Sequence, residues 1–167
     1  MIKIRQIRED DAQSFLAMLK TLDNETKFMM YEPDERKSTV ESQSRKIREA
    51  LSKDNHIIFV ADYDGWLIGF LAAHGGEFRR NRHQVHIVVG IIGEFRGRGV
   101  GKALFLEMEK WARAKGIHRL ELTVMSNNEA GIRLYQKMGF EIEGTRHDSL
   151  LVNGEYVDEY AMSKLLS

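Results

Sequence analysis

The residues with the clearest chemical potential run Gly93-Glu94-Phe95-Arg96-Gly97-Arg98-Gly99-Val100-Gly101-Lys102. Glycines at 97, 99 and 101 let the backbone turn tightly and let a ligand approach with no Cβ in the way. Arg96, Arg98 and Lys102 add full positive charges. Val100, Leu104, Met108 and Trp111 then recur at helical spacing, so the loop opens a helix whose free N–H groups and positive dipole end suit an anion. A phosphate or pyrophosphate is the expected guest. Two nucleotide-binding patterns fail on counting. A Walker A loop would require glycine where Arg96 stands and Ser or Thr where Ala103 stands. The dinucleotide fingerprint would require glycine at Lys102. What fits is Arg-x-x-Gly-x-Gly, Arg96 to Gly101.

A second segment lies downstream: Asn128-Glu129-Ala130-Gly131-Ile132-Arg133-Leu134-Tyr135-Gln136-Lys137-Met138-Gly139-Phe140. The two motifs together resemble the GNAT superfamily of N-acetyltransferases, whose second signature reads N-x-x-A-I-x-L-Y-x-K-x-G-F. Gly131 departs from it where alanine is usual, which weakens the helix slightly. The resemblance covers essentially the whole chain. Its ending, Glu143-Gly144-Thr145 and Asn153-Gly154-Glu155-Tyr156-Val157-Asp158, is similar to a bacterial subgroup that acetylates free amino acids, polyamines or ribosomal-protein N-termini. The resemblance implies acetyl-CoA as co-substrate. It also implies acetyl transfer to a primary amine, on a small molecule such as an amino acid or polyamine or on a protein N-terminus. The amine would attack directly in a ternary complex. The alternative is a non-catalytic CoA-binding sensor or interaction module with the same fold, which intact Asn128 and Tyr135 disfavour.

By the same resemblance, Arg96, Gly97, Arg98, Gly99, Val100, Gly101 and Lys102 hold the cofactor's pyrophosphate. Ile91 and Ile92 offer backbone groups to pantetheine as an added strand, and an N–H there can polarise the thioester carbonyl. Asn128 hydrogen-bonds the cofactor, a role compatible with its capping the helix it opens. Tyr135 stands where the family places the acid for the departing thiolate; otherwise it is a half-buried anchor of the core. Acceptor recognition is implied at Glu25, Phe28 and Glu32, opposite the cofactor, between the first helical region and the last hairpin. Tyr156 and Tyr160 line that cleft or form a contact in a homodimer, the expected assembly.

The general base is left open among Glu25, Glu32, Glu77, His83, His86 and water. His83 and His86 are three residues apart, so a regular strand turns them to opposite faces. With no cysteine present, no metal site is expected.

The elements that must position these residues alternate. Ile2, Ile4 and Ile7 suggest an opening strand; Phe15, Met18, Leu19 and Leu22 share a helical face behind Asp10. Asp23 to Lys37 has no clear period, contains Pro33 and reads as a loop or a broken helix. Ser38-x-x-Glu41 has capping-box spacing for a second helix through Val40, Ser44, Ile47 and Leu51. Ile57–Ala61 and Trp66–Ala73 are strands joined at Asp64-Gly65, a type I′ hairpin signal. Val85–Ile92 is apolar nearly throughout and predicts a central strand buried on both faces. A helix follows to Gly116, then a strand at Leu120, Leu122 and Val124, a helix from about Asn128 to Met138, and two strands joined at Asn153-Gly154. Trp66, Trp111 and the methionines read as packing residues. The order β-α-α-β-β-β-α-β-α-β-β predicts an α/β (mixed α+β) fold. The resemblance makes this the GNAT fold, a mixed, mostly antiparallel twisted sheet of six to seven strands with about four helices.

Composition is consistent with this reading. The 167 residues, 43 % hydrophobic and 30 % charged, suit one globular N-acetyltransferase domain over 1–167. No apolar run reaches the ~18 residues of a membrane span. The absence of cysteine fits a reducing cytoplasm and a reaction with no acyl-enzyme. Lys plus Arg and Asp plus Glu are 25 each, which argues against a nucleic-acid surface. The balance nevertheless hides a separation. Asp23–Glu35 carries five acids and one base, while Gly76–Lys102 carries six bases and two acids. The expectation is a polyanionic cofactor on one side and a cationic amine on the other.

Overall fold

The computed structural model describes residues 1–167. Seven strands form one sheet: β1 (Ile2–Gln6), β2 (His56–Tyr63), β3 (Trp66–Gly75), β4 (Gln84–Ile91), β5 (Arg119–Met125), β6 (Glu141–Val152) and β7 (Glu155–Leu165). Their spatial order is β1-β2-β3-β4-β5-β7-β6. Every pairing is antiparallel except β4 with β5. Helices α1 (Ala12–Glu25) and α2 (Val40–Leu51) cover one face; α3 (Val100–Ala114) and α4 (Glu129–Lys137) belong to the other. The element order and the fold class are those expected.

Alternation along the central strands splits the core in two. Phe59, Ala61, Leu71, Ala73, Val85 and Ile87 meet Leu104, Phe105 and Met108 of α3. Ile58, Val60, Phe70 and Ala72 meet Phe15, Met18, Leu19 and Leu22 of α1 and Ile47 of α2. Both hairpin signals hold, because paired positive φ values, as a type I′ turn demands, occur at Asp64 and Gly65 and again at Asn153 and Gly154.

Four expectations change. Helix α1 continues unbroken to Glu25, so Asp23, Asn24 and Glu25 are its last turn rather than the start of a loop or broken helix. The capping box of α2 is Thr39 with Ser42, one residue beyond Ser38 and Glu41; Thr39 Oγ1 accepts from the Ser42 N–H at 3.0 Å. The buried face of α2 is accordingly Gln43, Ile47 and Ala50, with Val40 and Leu51 exposed. Trp66 is 76 % exposed at the β2–β3 hairpin end and packs in no core.

The fourth change bears on function. Only Val85 and Ile87 of β4 are buried, and Val88 is exposed. Pairing of β4 with β5 stops at His86 opposite Glu121, although both strands run on for several residues. Past that point β5 stays with β7, and the two parallel strands part in a V. An apolar strand half-sided by this opening cannot be buried on both faces.

Candidate active site

The V is open toward the glycine loop. Register places Ile91 opposite Gly69 and Gly90 opposite Phe70, and the Ile92 N–H donates to the Ile68 carbonyl at 2.9 Å. Antiparallel alternation then turns the even-numbered backbone groups of β4 toward β3 and the groups of Val89 and Ile91 toward the opening. The pair expected to offer its backbone thus divides. Ile91 faces the V, whereas the Ile92 N–H is taken by β3. The Ile91 carbonyl in turn accepts from Arg96 Nε at 3.3 Å.

From Gly97 to Lys102, six consecutive backbone N–H groups have no acceptor in the protein; the first intrahelical bond of α3 is Ala103 N–H to the Gly99 carbonyl. Gly97 (φ 74) and Gly99 (φ 79) hold left-handed backbone, and no atom lies within 4 Å of where a Cβ would sit on either. This open cradle of donors at a helix N-terminus fits a diphosphate. Arg96, Arg98 and Lys102 stand exposed around it, with the Arg98 guanidinium 5.0 Å from the Phe95 ring centroid. Val100 is a core residue, so only its N–H serves the cradle. Gly101 is buried, and a Cβ there would lie 2.7 Å from Leu134 Cδ2. Its missing side chain admits α4 rather than a ligand.

Leu134 precedes Tyr135, whose ring packs edge-on to Phe105 and Phe140 with centroids 5.7 and 6.4 Å away. Tyr135 is buried, yet its hydroxyl oxygen is not fully enclosed and has no hydrogen-bond partner in the protein. Burial pushes its phenol up to about 12. Asn128 caps α4, its Oδ1 accepting from the Gly131 N–H at 3.0 Å. A Cβ on Gly131 would lie 2.7 Å from Asn128 Nδ2, so this glycine does more than loosen the helix; it makes room for the folded-back cap.

On the other side of the V, a cleft of roughly 240 Å³ opens between the end of α1 with its following loop and the end of the β6–β7 hairpin. Glu25, Lys27, Met29, Met30, Tyr31 and Glu32 form one wall; Met125 and Leu150–Asn153 form the other. Phe28 is half-buried and is not part of either wall. The loop is clamped by Arg36, which reaches Asp23 through Nε to Oδ2 at 2.7 Å and Nη2 to Oδ1 at 3.1 Å, with Tyr31 beneath the guanidinium at 4.2 Å. Asp23 is 2 % exposed. Sequence reading missed this clamp, since Asp23 and Arg36 are thirteen residues apart and nothing local pairs them.

Of the open base candidates, Glu25 and Glu32 line the cleft. Glu77 and His83 lie before β4 and His86 at its start, whereas Gly93 follows its end. At ~3.3 Å per residue the strand spans roughly 23 Å, which puts Glu77 and His83 at the far end of the sheet. His86 faces Glu121, its Nδ1 3.7 Å from Oε2. The expected charge separation shrinks for the same reason. Arg79, Arg80 and Arg82 belong to the far end, which leaves Arg96, Arg98 and Lys102 against Glu94 at the cradle. Tyr156 is exposed and Tyr160 packs against the core. No group of three or more His, Cys, Asp or Glu could hold a metal ion, and no helix is long and apolar enough to cross a membrane.

Comparison with known proteins agrees with this geometry. The Acetyltransferase (GNAT) family model matches residues 16–140. The L-amino acid N-acetyltransferase AaaT of Escherichia coli K12 is 38 % identical over 110 residues, which are 64 % of this chain and 66 % of that protein, just under two thirds of its length. A GNAT-family acetyltransferase from Streptococcus pneumoniae superposes with a TM-score of 0.96 at 32 % identity, covering 100 % of both chains. A ribosomal-protein-alanine N-acetyltransferase from Brucella melitensis gives 0.86 at 25 % identity, covering 98 % of this chain and 99 % of that one. Matched by the family model over most of its length and by a full-length relative above 30 % identity, the chain belongs to the GNAT acetyltransferase family.

Proposed function

We propose that this protein acetylates the α-amino group of a small, apolar L-amino acid, by direct attack of the amine in a ternary complex with acetyl-CoA. The observation that carries the proposal is the parting of β4 from β5 beyond His86 and Glu121, at an end of the sheet where Glu25 of the cleft bonds Gly93 just past β4. The glycine loop there offers six unpartnered N–H groups, and the cleft carries three carboxylates, of which Asp23 is held by Arg36 and Glu25 and Glu32 are not, with one ammonium and apolar side chains. GNAT acetyltransferases use acetyl-CoA as co-substrate, which supplies an activated thioester carbonyl and a thiolate leaving group.

The chain's own groups divide the remaining work. The N–H groups of Gly97–Lys102 bind the diphosphate, while Arg96, Arg98 and Lys102 offset its charge. The exposed edge of β4 at Val89 and Ile91 orients the pantetheine arm by strand-like hydrogen bonds. Glu25 and Glu32 attract the acceptor ammonium, and a carboxylate there or a water takes its proton so that a neutral amine attacks. Lys27 answers the acceptor carboxylate; Met29, Met30 and Leu151 take an apolar side chain. Tyr135 keeps its proton at neutral pH and donates a hydrogen bond as charge grows on sulfur.

Likeness to the E. coli L-amino acid N-acetyltransferase supports this acceptor class, and Lys27 favours an amino acid over a polyamine. The test is thiol release from acetyl-CoA with a panel of amines. Apolar L-amino acids should give the highest kcat/KM. Equal or faster turnover of spermidine or of an N-terminal alanine peptide would overturn the acceptor assignment, and tight acetyl-CoA binding with no turnover on any amine would favour a sensor.

A further inference from the structure

Arg79, Arg82 and Lys115 are too far from the glycine loop to serve it, yet they are not dispersed. They surround a cavity of roughly 300 Å³ at the opposite end of β4, together with Asp54, Asn55, His83, Gly116 and Ile117. Ile117 is the one hydrophobic residue of the wall. Three fixed positive charges face a single carboxylate, Asp54, whose Oδ1 holds Arg82 Nη2 at 3.0 Å. Arg79 and Lys115 have no carboxylate within 4.0 Å.

The wall is held rigidly by backbone contacts. Asn55 is 7 % exposed, and its Nδ2 donates to the carbonyls of Gly76 at 3.0 Å and Arg82 at 3.4 Å. Within the loop, the Phe78 N–H donates to Asn81 Oδ1 at 2.8 Å, and the Gln84 N–H donates to the Asn81 carbonyl at 3.2 Å. The His83 carbonyl accepts from the N–H groups of His118 and Arg119. On the opposing wall α3 ends in a Schellman motif. The Ile117 N–H donates to the Ala112 carbonyl at 2.9 Å, and the Gly116 N–H donates to the Arg113 carbonyl at 3.2 Å. Those carbonyls, which would otherwise repel an anion at a helix C-terminus, are thereby occupied.

Cations gathered around one concave polar site repel one another, and an anion bound among them offsets that repulsion. We infer that this cavity binds a small phosphate-bearing anion, at a site separate from the glycine loop. Guanidinium and ammonium donors suit phosphate oxygens, and the wall's three cations against one carboxylate match the charge of a phosphate dianion. A monocarboxylate would leave one cation uncompensated.

Heteronuclear NMR on the full chain, at constant ionic strength, tests this with two probes, inorganic phosphate and glycerol 3-phosphate. Both should shift the amides of Arg79–His83 and Lys115–Ile117 saturably, and the tighter probe tells whether the site takes free phosphate or an ester. The Arg79→Gln/Lys115→Gln variant should weaken binding at least about tenfold without a change in Tm, since neither side chain is ion-paired. Arg80→Gln, which removes the same charge from the same loop outside the cavity, should change binding less than about twofold. Shifts confined to Gly97–Lys102, unsaturable shifts, or an equal loss with Arg80→Gln would overturn the inference. The result does not depend on whether the chain acetylates an amino acid.

Discussion

Glu25 Oε1 accepts a hydrogen bond from the Gly93 N–H at 2.6 Å, joining the last turn of α1 to the second residue beyond β4. One carboxylate therefore touches both halves of the proposed site, and its charge and its anchoring separate by substitution. Glu25→Gln keeps an acceptor for Gly93 but loses the charge. Acceptor KM should rise about five- to tenfold, and further with Glu32→Gln, while acetyl-CoA affinity holds. Glu25→Ala should weaken acetyl-CoA as well. An unchanged acceptor KM in the Glu25→Gln/Glu32→Gln variant removes the acidic-cleft assignment.

Gly99→Glu places bulk and negative charge in the open cradle, at a φ of 79 that an L side chain rarely adopts. Acetyl-CoA affinity, by calorimetry, should fall by about a hundredfold or more. Retained affinity would contradict the cradle.

Gly101→Ala acts at one remove. Its Cβ would press on Leu134 Cδ2 at 2.7 Å, so the Leu134 side chain is displaced and strain passes to α4. Stability should drop by about 1–3 kcal/mol in chemical denaturation, and kcat should fall more than acetyl-CoA affinity because Tyr135 rides on α4. Equal losses in both would place the fault in the cradle instead.

Tyr135→Phe should lower kcat by about 10²–10⁴ while acetyl-CoA affinity stays within about threefold. With the phenol held up to about 12, kcat/KM should show no falling limb from this group below about pH 10. The folded-state value lies above the unfolded one, so the stability contributed is complete below pH 10 and is lost as pH rises toward 12. Wild type should therefore lose up to ~1.4 kcal/mol per pH unit relative to Tyr135→Phe over that window.

Asp23→Ala leaves the Arg36 guanidinium, 11 % exposed, without its partner. A loss of about 3 kcal/mol is expected by denaturation. Because Arg36 also lies over Tyr31, acceptor KM should rise as the loop loosens. A stability loss with unchanged KM would confine the clamp to folding.

Local chemistry was readable wherever neighbouring residues decide it. The glycine–arginine alternation of residues 96–102, the Asn128–Phe140 segment, the two hairpin turns and the apolar face of α1 all depend on interactions within a few residues, and each lies where its pattern placed it. The box at Thr39 missed its expected position by one residue, because Ser38 and Thr39 offer the same hydroxyl and the packing of Ile47 and Ala50 chooses between them.

What the sequence alone determined is the set of elements, their order, and an anion cradle at the start of a helix. Tertiary structure decided which apolar strand stays open. Val85 to Ile92 reads as core, but β5 pairs with β7 along its full length and with β4 over only three residues. Tertiary structure also sorted the charges, since a strand roughly 23 Å long carries Arg79, Arg80 and Arg82 away from Arg96, Arg98 and Lys102. Pairing register and strand length act between segments distant in sequence, and no local pattern encodes where two parallel strands part.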